Sequence, residues 1–155
     1  PRPPALTTTR NHIGPGLNVP VIVHGYPPAK RTDCCEGEVR VMHILRKHQA
    51  CRKPSSQKGE VITCTSAEAT RHLQVLRKSM TQRGLDFEDL TGVFGKLAKQ
   101  YSHCGSATTK NGDLGCITRG RLQKPFEDAA FALAVGELSD VIETESGVHL
   151  IFRIQ

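Results

Sequence analysis

Residues 39–56 read VRVMHILRKHQACRKPSS. The stretch from Val39 to Leu45 mixes β-branched and long apolar residues, which predicts a β-strand. A period of two places Val39, Val41, His43 and Leu45 on one face. Arg46 then falls on the opposite face. Beyond the strand, Arg46, Lys47, Arg52 and Lys53 stand close together around His48, and Pro54-Ser55-Ser56 closes the run. Like charges repel, so a fold that gathers them on one loop points to a negative group that the loop holds.

Working outward, the next element opens at Thr65-Ser66-Ala67-Glu68, a capping box with Thr65 as N-cap and Glu68 reaching back. Ala69, Leu73, Leu76 and Met80 follow at helical spacing, and Gly84 suits the stop. A second helix starts near Asp86. Its apolar stripe is Phe87, Leu90, Phe94, Leu97 and Tyr101, with Gly92 and Gly95 each weakening the middle by about 1 kcal/mol relative to Ala. A loop rich in Ser, Thr, Asn and Gly spans 102–115. Leu114 to Thr118 reads as a short strand. Lys124-Pro125-Phe126 opens a third helix that buries Phe126, Ala129, Ala130 and Leu133. Val141-Ile142-Glu143 and Val148 to Ile154 read as two strands, with Glu145-Ser146-Gly147 as the turn. The order is strand, helices, then a β-rich end. That predicts an α+β domain around a small antiparallel sheet.

Residues 1–37 hold seven of the nine prolines and read as a flexible Pro-rich tail or linker, leaving 38–155 as the folded domain. A chain of 155 residues suits one domain, and the first residue is Pro1, so a further N-terminal domain in a longer protein is an open expectation. The formal net charge of +6 favours acidic partners. Trp is absent and aromatics are few, which argues against base-stacking platforms and makes nucleic acid an unexpected partner. A nucleic-acid reading through the basic loop with Arg71, Arg77 and Lys78 meets acidic residues scattered among those cations. There is no long apolar run, so no membrane partner is expected. The six cysteines show no CxxC and no zinc-module spacing, including Cys34, Cys35 and Cys51 with His48. Reduced thiols in a nuclear or cytoplasmic protein are therefore expected, with no metal.

Two histidines, His43 and His149, lie inside the first and last predicted strands. Such strands often pair in small antiparallel sheets, which would make the histidines neighbours. Cys104 follows a helix in a glycine-bearing loop, and Thr144 and Ser146 flank the final turn.

Together, VRVMHILRKH, RKPSS, SHCGSA, GDLGCITRGRLQKPFEDAAFAL and TESGVHLI closely resemble the parvulin family of peptidyl-prolyl cis/trans isomerases, and more narrowly its phosphorylation-directed Pin subtype. The resemblance implies a parvulin (FKBP-like) fold, with a four-stranded antiparallel sheet and about four helices. It implies catalysis of X-Pro isomerisation without a cofactor, on proteins or peptides carrying phospho-Ser/Thr-Pro or acidic-Pro sites, by a monomer. It assigns His43, Cys104, His149, Thr144 and Ser146 to the polar catalytic wall. Leu114, Leu122, Phe126 and Gln123 fall to the proline pocket, and Lys47, Arg52 and Lys53 to phosphate. The alternative is a phosphopeptide-binding or chaperone-like module whose isomerase activity is incidental.

Departures from the family accompany the match. Lys53 stands where Arg is common, and Leu122 where many members have Met. No tryptophan-bearing WW module is present. The second helix is longer by about seven residues near Thr91–Leu97, or two turns at ~3.6 residues each, so an unbroken helix would keep its stripe in register. Asn111-Gly112 reads as a tight turn.

Overall fold

The computed structural model describes residues 33–155. The element order is β1 (Val39–Arg46), α1 (Ser66–Thr81), α2 (Phe87–Tyr101), α3 (Ser106–Lys110), β2 (Asp113–Ile117), α4 (Lys124–Ala132), β3 (Ile142–Thr144) and β4 (Gly147–Arg153). The strands form one antiparallel sheet in the order β2-β1-β4-β3. The first and last strands are thus its centre, in the register His43 opposite Ile151 and Leu45 opposite His149.

Alternation decides what each sheet face meets. Met42, Ile44, Val148, Leu150 and Phe152 pack against Leu73, Leu76, Met80, Phe94 and Ala98 of α1 and α2. On the other face, Val39, Val41, Ile117 and Ile151 meet Phe126, Ala130 and Leu133 from α4 and its end. His43 and His149 belong to this second face, where a single short helix leaves part of the sheet open.

Thr65 and Glu68 form the expected capping box. Asp86 caps α2 by accepting from the Asp89 N–H at 2.8 Å. The longer α2 runs unbroken through Gly92 and Gly95. At Gly95 a Cβ would press Asn111 at 3.2 Å and Met42 at 3.5 Å, whereas at Gly92 it would meet nothing. Close approach therefore explains Gly95 alone. Phe87, the first residue of the stripe, is half-exposed, and burial centres on Phe94 and Ala98.

Three expectations need correction. The stretch after α2 is not all loop, because residues 106–110 coil into α3 before Asn111 turns left-handed (φ 53°) and Gly112 continues the turn (φ 86°). The cysteines are not all reduced. A turn in which the Glu38 N–H donates to the Cys35 carbonyl lays Cys34 beside the edge strand β2, where it is disulfide-bonded to Cys116 with Cα atoms 5.5 Å apart. Sequence spacing held no sign of a bridge spanning 82 residues, and a compartment inferred from reduced thiols loses that support. Finally, the disulfide joins residue 34 to the domain, so residues 33–37 belong with it. The remainder of the expected tail, residues 1–32, lies outside the described residues.

Gly112 is one glycine that the site depends on. Its carbonyl accepts from the His43 N–H at 2.9 Å, and a Cβ there would lie 2.7 Å from the His43 carbonyl and 2.8 Å from Ala98. Gly112→Ala should destabilise the domain by about 2 kcal/mol or more. Gly92→Ala, in the exposed middle of α2, should stabilise it by about 1 kcal/mol. Urea unfolding of both variants measures the pair, and opposite signs are the expected outcome.

Candidate functional site

β1 outruns its edge partner. β2 pairs with it only as far as Met42. Further on, the chain leaving α2 takes over that edge: Ser102 Oγ accepts from the Leu45 N–H at 3.0 Å, and the His103 N–H donates to the Leu45 carbonyl at 2.7 Å. Ser102 Oγ also accepts from the Cys104 N–H at 3.3 Å, which seats Cys104 beside the end of β1. Strand length, helix end and one hydroxyl together place the thiol.

A polar chain runs inward from it. Ser106 Oγ donates to Cys104 Sγ at 3.3 Å and lies 3.3 Å from His43 Nε2. The Nδ1 atoms of His43 and His149 are 3.3 Å apart, and His149 Nε2 lies 2.8 Å from Thr144 Oγ1. The two imidazoles stack at 18° between planes, and Phe126 meets both edge-on at 5.7 and 5.2 Å. Two N–H groups cannot face each other, so only one Nδ1 carries a proton. With Ser106 donating to sulfur, His43 supplies Nε2–H to the Ser106 oxygen. A neutral His43 then accepts at Nδ1 from His149, whose Nε2 accepts from Thr144. A charged His43 donates at both nitrogens, which reverses the His149 tautomer and turns the Thr144 hydroxyl toward the Gly147 carbonyl at 3.3 Å. The wall accommodates one proton without moving a ring.

Burial pushes the Cys104 thiol up, but the hydrogen bond and charge of His43 and the Ser106 hydroxyl outweigh it and bring the thiol down to about 6. Burial, with the His43 charge adding to it, lowers His149 to about 3, so this ring stays neutral at ordinary pH. His103 falls to about 4 through burial and the charges of Arg46 and Lys47.

Two adjoining hollows open on this wall. One, of about 480 Å³, is lined by His43, Leu45, Cys104, Leu114, Arg121, Leu122, Gln123, Phe126, Thr144, Ser146 and His149. Apolar atoms predominate around Leu114, Leu122 and Phe126. The other, of about 720 Å³, is lined by Lys47, Arg52, Lys53, Ser55, Ser56, Gln57, His103 and Gly105. Leu45, Cys104 and Ser146 border both. The cationic loop is anchored beneath by buried His48 and Cys51, and by the Arg52 N–H donating to the Glu145 carbonyl at 2.7 Å. Lys47 Nζ donates to the Ser55 carbonyl at 2.8 Å. Among the described residues none of the three loop cations forms an ion pair.

Every site residue expected from the sequence lines one hollow or the other. Leu45, His103 and Glu127 fall outside the site expected from the sequence. Leu45 was within reach, since alternation puts it on the His43 face. Glu127 is buried, and its carboxylate accepts from the backbone N–H groups of Gly120, Arg121 and Leu122 at 3.0, 2.8 and 2.7 Å. These bonds hold it below the usual carboxylate range. Nothing in an acidic side chain within a helix announces such a role.

Comparison with known proteins agrees with this geometry. The rotamase family, described as the PPIC-type PPIASE domain, matches residues 43–155. A curated relative from Digitalis lanata, peptidyl-prolyl cis-trans isomerase Pin1, is 47% identical over 120 residues, which cover 75% of this chain and 95% of the relative. The isomerase ESS1 of Saccharomyces cerevisiae is 47% identical over 116 residues, 75% of this chain and 65% of that protein. Among solved structures, the PPIase domain of TbPar42 aligns with a TM-score of 0.66 at 34% identity, over 76% of this chain and 99% of that one. ESS1 from Candida albicans aligns with a TM-score of 0.62 at 41% identity, over 77% of this chain and 64% of that one.

The low thiol pKa has a direct readout. Alkylation of Cys104 by iodoacetamide, followed by peptide mass spectrometry, should reach half its maximal rate near pH 6, and His43→Gln should move that midpoint upward. Stability follows the same group. The folded pKa is depressed, so between about 6 and 8.5 the unfolded chain binds more protons. The stabilisation is complete above the unfolded value and is lost as pH falls through the folded one. Wild type should therefore lose stability relative to Cys104→Ser as pH drops across this window, measured by urea unfolding.

Proposed function

The chain belongs to the PPIC-type peptidyl-prolyl cis-trans isomerase family and catalyses rotation about X–Pro bonds, and from that premise we propose that its preferred substrates carry a phosphorylated Ser or Thr immediately before the proline. The observation that carries this reading is the shared border of the two hollows. A proline ring in the apolar hollow puts the preceding side chain at the wall of Leu45, Cys104 and Ser146, with Lys47, Arg52 and Lys53, which form no ion pair among the described residues, beyond it. A phosphoryl group brings about −1.5 to −2 charges at neutral pH, and a cluster of cations on an anchored loop matches it. Lys53 contributes charge without the planar fork of an arginine.

The reaction has a barrier of about 18–20 kcal/mol, because conjugation gives the amide C–N bond partial double-bond character. No covalent bond needs to break. The planar amide places more negative charge on its oxygen than the twisted amide, which has lost the resonance contribution. A cavity walled by Leu114, Leu122 and Phe126 solvates the planar form poorly and the twisted form well. A thiolate at Cys104 beside the carbonyl opposes the charge-separated resonance form further. Both effects favour the twisted state over the bound ground state, which is what accelerates the step. The imidazole pair supports the thiolate through Ser106. On this reading Cys104 acts by its charge and not as a nucleophile.

Isomerisation rates on three short peptides that differ only before proline test the substrate reading. Phospho-Ser should exceed Ala by about tenfold or more in kcat/KM, with Glu between them. Combined Arg52→Glu and Lys53→Glu should remove the difference. Equal rates on all three peptides would overturn it. A separate comparison tests the role of the thiol: Cys104→Asp should keep much more activity than Cys104→Ala, whereas a nucleophilic role requires both to fail alike.

A further inference from the structure

We propose that Arg121 reads the substrate on the other side of the proline, favouring an acidic side chain one or two residues after it. Arg121 is the cation on the wall of the apolar hollow. The neighbouring cations are engaged elsewhere. Arg119 lies over the Phe131 ring at 4.4 Å and 3.4 Å from Asp128, and Lys124 pairs with Asp128 at 2.7 Å. Among the described residues Arg121 is exposed and has no ion pair.

Its backbone is pinned. Glu127 takes the N–H groups of residues 120–122 on its carboxylate, so the root of the Arg121 side chain is fixed while its head stays in solvent. Those three bonds also occupy the Glu127 carboxylate. Glu127 faces the loop backbone from within the domain, and the guanidinium charge is left for a ligand.

The position along the substrate follows from the hollow. Gln123 Nε2 donates to Ser146 Oγ at 2.9 Å, and Ser146 borders the cationic hollow. Gln123 therefore stands where the two hollows meet, whereas Arg121 lines the apolar hollow and not the cationic one. A peptide with its phosphate in the cationic hollow and its proline among Leu114, Leu122 and Phe126 continues toward Arg121 in the N-to-C direction. That direction rests on the phosphate reading above, whereas the presence of a second, separate cationic contact does not. An exposed pair of this kind is a weak contact and weakens further with salt. It is a modest selector laid on the proline pocket.

The test measures kcat/KM on X–Pro peptides carrying Glu, Gln or Lys at the first or second position after proline, in two series with phospho-Ser or Ala before it. Wild type should prefer Glu to Lys by about threefold to fivefold at low salt. The preference should shrink at high salt, vanish in Arg121→Gln, reverse in Arg121→Glu and survive in Arg121→Lys. The phospho-Ser to Ala ratio should stay the same in Arg121→Gln. Absence of a charge preference after proline overturns the proposal, as does a preference that Arg121→Gln leaves intact, or a uniform loss on all peptides. A phospho-Ser to Ala ratio of one in wild type would instead remove the phosphate reading, and a post-proline preference that depends on Arg121 in the Ala series would stand without it.

Discussion

Val41 to Arg46 and Val148 to Arg153 form the ladder at the centre of the sheet, joining segments about a hundred residues apart in the chain. Ile44, Leu150, Ile151 and Phe152 are fully buried along it, each worth roughly 1.5–3 kcal/mol of apolar burial. The register matters as much as the burial. With Leu45 opposite His149, residue 43 and residue 149 sit diagonally on one face, close enough for their Nδ1 atoms to meet at 3.3 Å. A slip of one position would turn one imidazole toward α1 and α2. Two buried imidazoles are tolerable because each finds partners on both sides, from Ser106 to Thr144.

The unequal strand lengths supply the rest of the site. Because β2 stops short, the end of β1 has an unpaired edge that Ser102 and His103 complete, and Cys104 arrives with them. Because β3 is only three residues long, its turn into β4 stays beside the basic loop and binds it through Glu145. Both edge strands are short, and Gly115 takes a positive φ of 75° within β2. Short, interrupted edges discourage pairing with another chain. The features that end the sheet early also expose the reactive wall.

Much of this was legible in the residues. Alternation in VRVMHIL put His43 on its face, and the capping box at Thr65 fixed the start of α1. The stripe of α2 survived its longer length because two helical turns preserve phase. The residues expected at the site were legible only through a family resemblance, since a histidine in a strand or a lone cysteine carries no such message by itself. The Cys34–Cys116 bridge was not legible, because it depends on a turn before β1 meeting a strand 82 residues later. Nor was the role of Glu127, whose partners are backbone groups that leave no trace in side-chain pattern. Residues 106–110 carry no helical signal in the sequence, because Ser and Thr compete locally with helix and give a single turn no periodicity to show.

Cys104 borders both hollows, and this couples two titrations. A dianion held by the loop cations would share a wall with a sulfur that is itself easily ionised. Like charges this close cannot be independent. Occupancy of the cationic hollow must raise the proton affinity of the thiol, and by thermodynamic reciprocity ionisation of the thiol must weaken the hold on the anion by the same factor. Chemical reactivity of the sulfur and affinity for the anion are then two readings of one free energy. A substrate that fills the cationic hollow would shield the thiol from oxidants not only by covering it but by returning its proton.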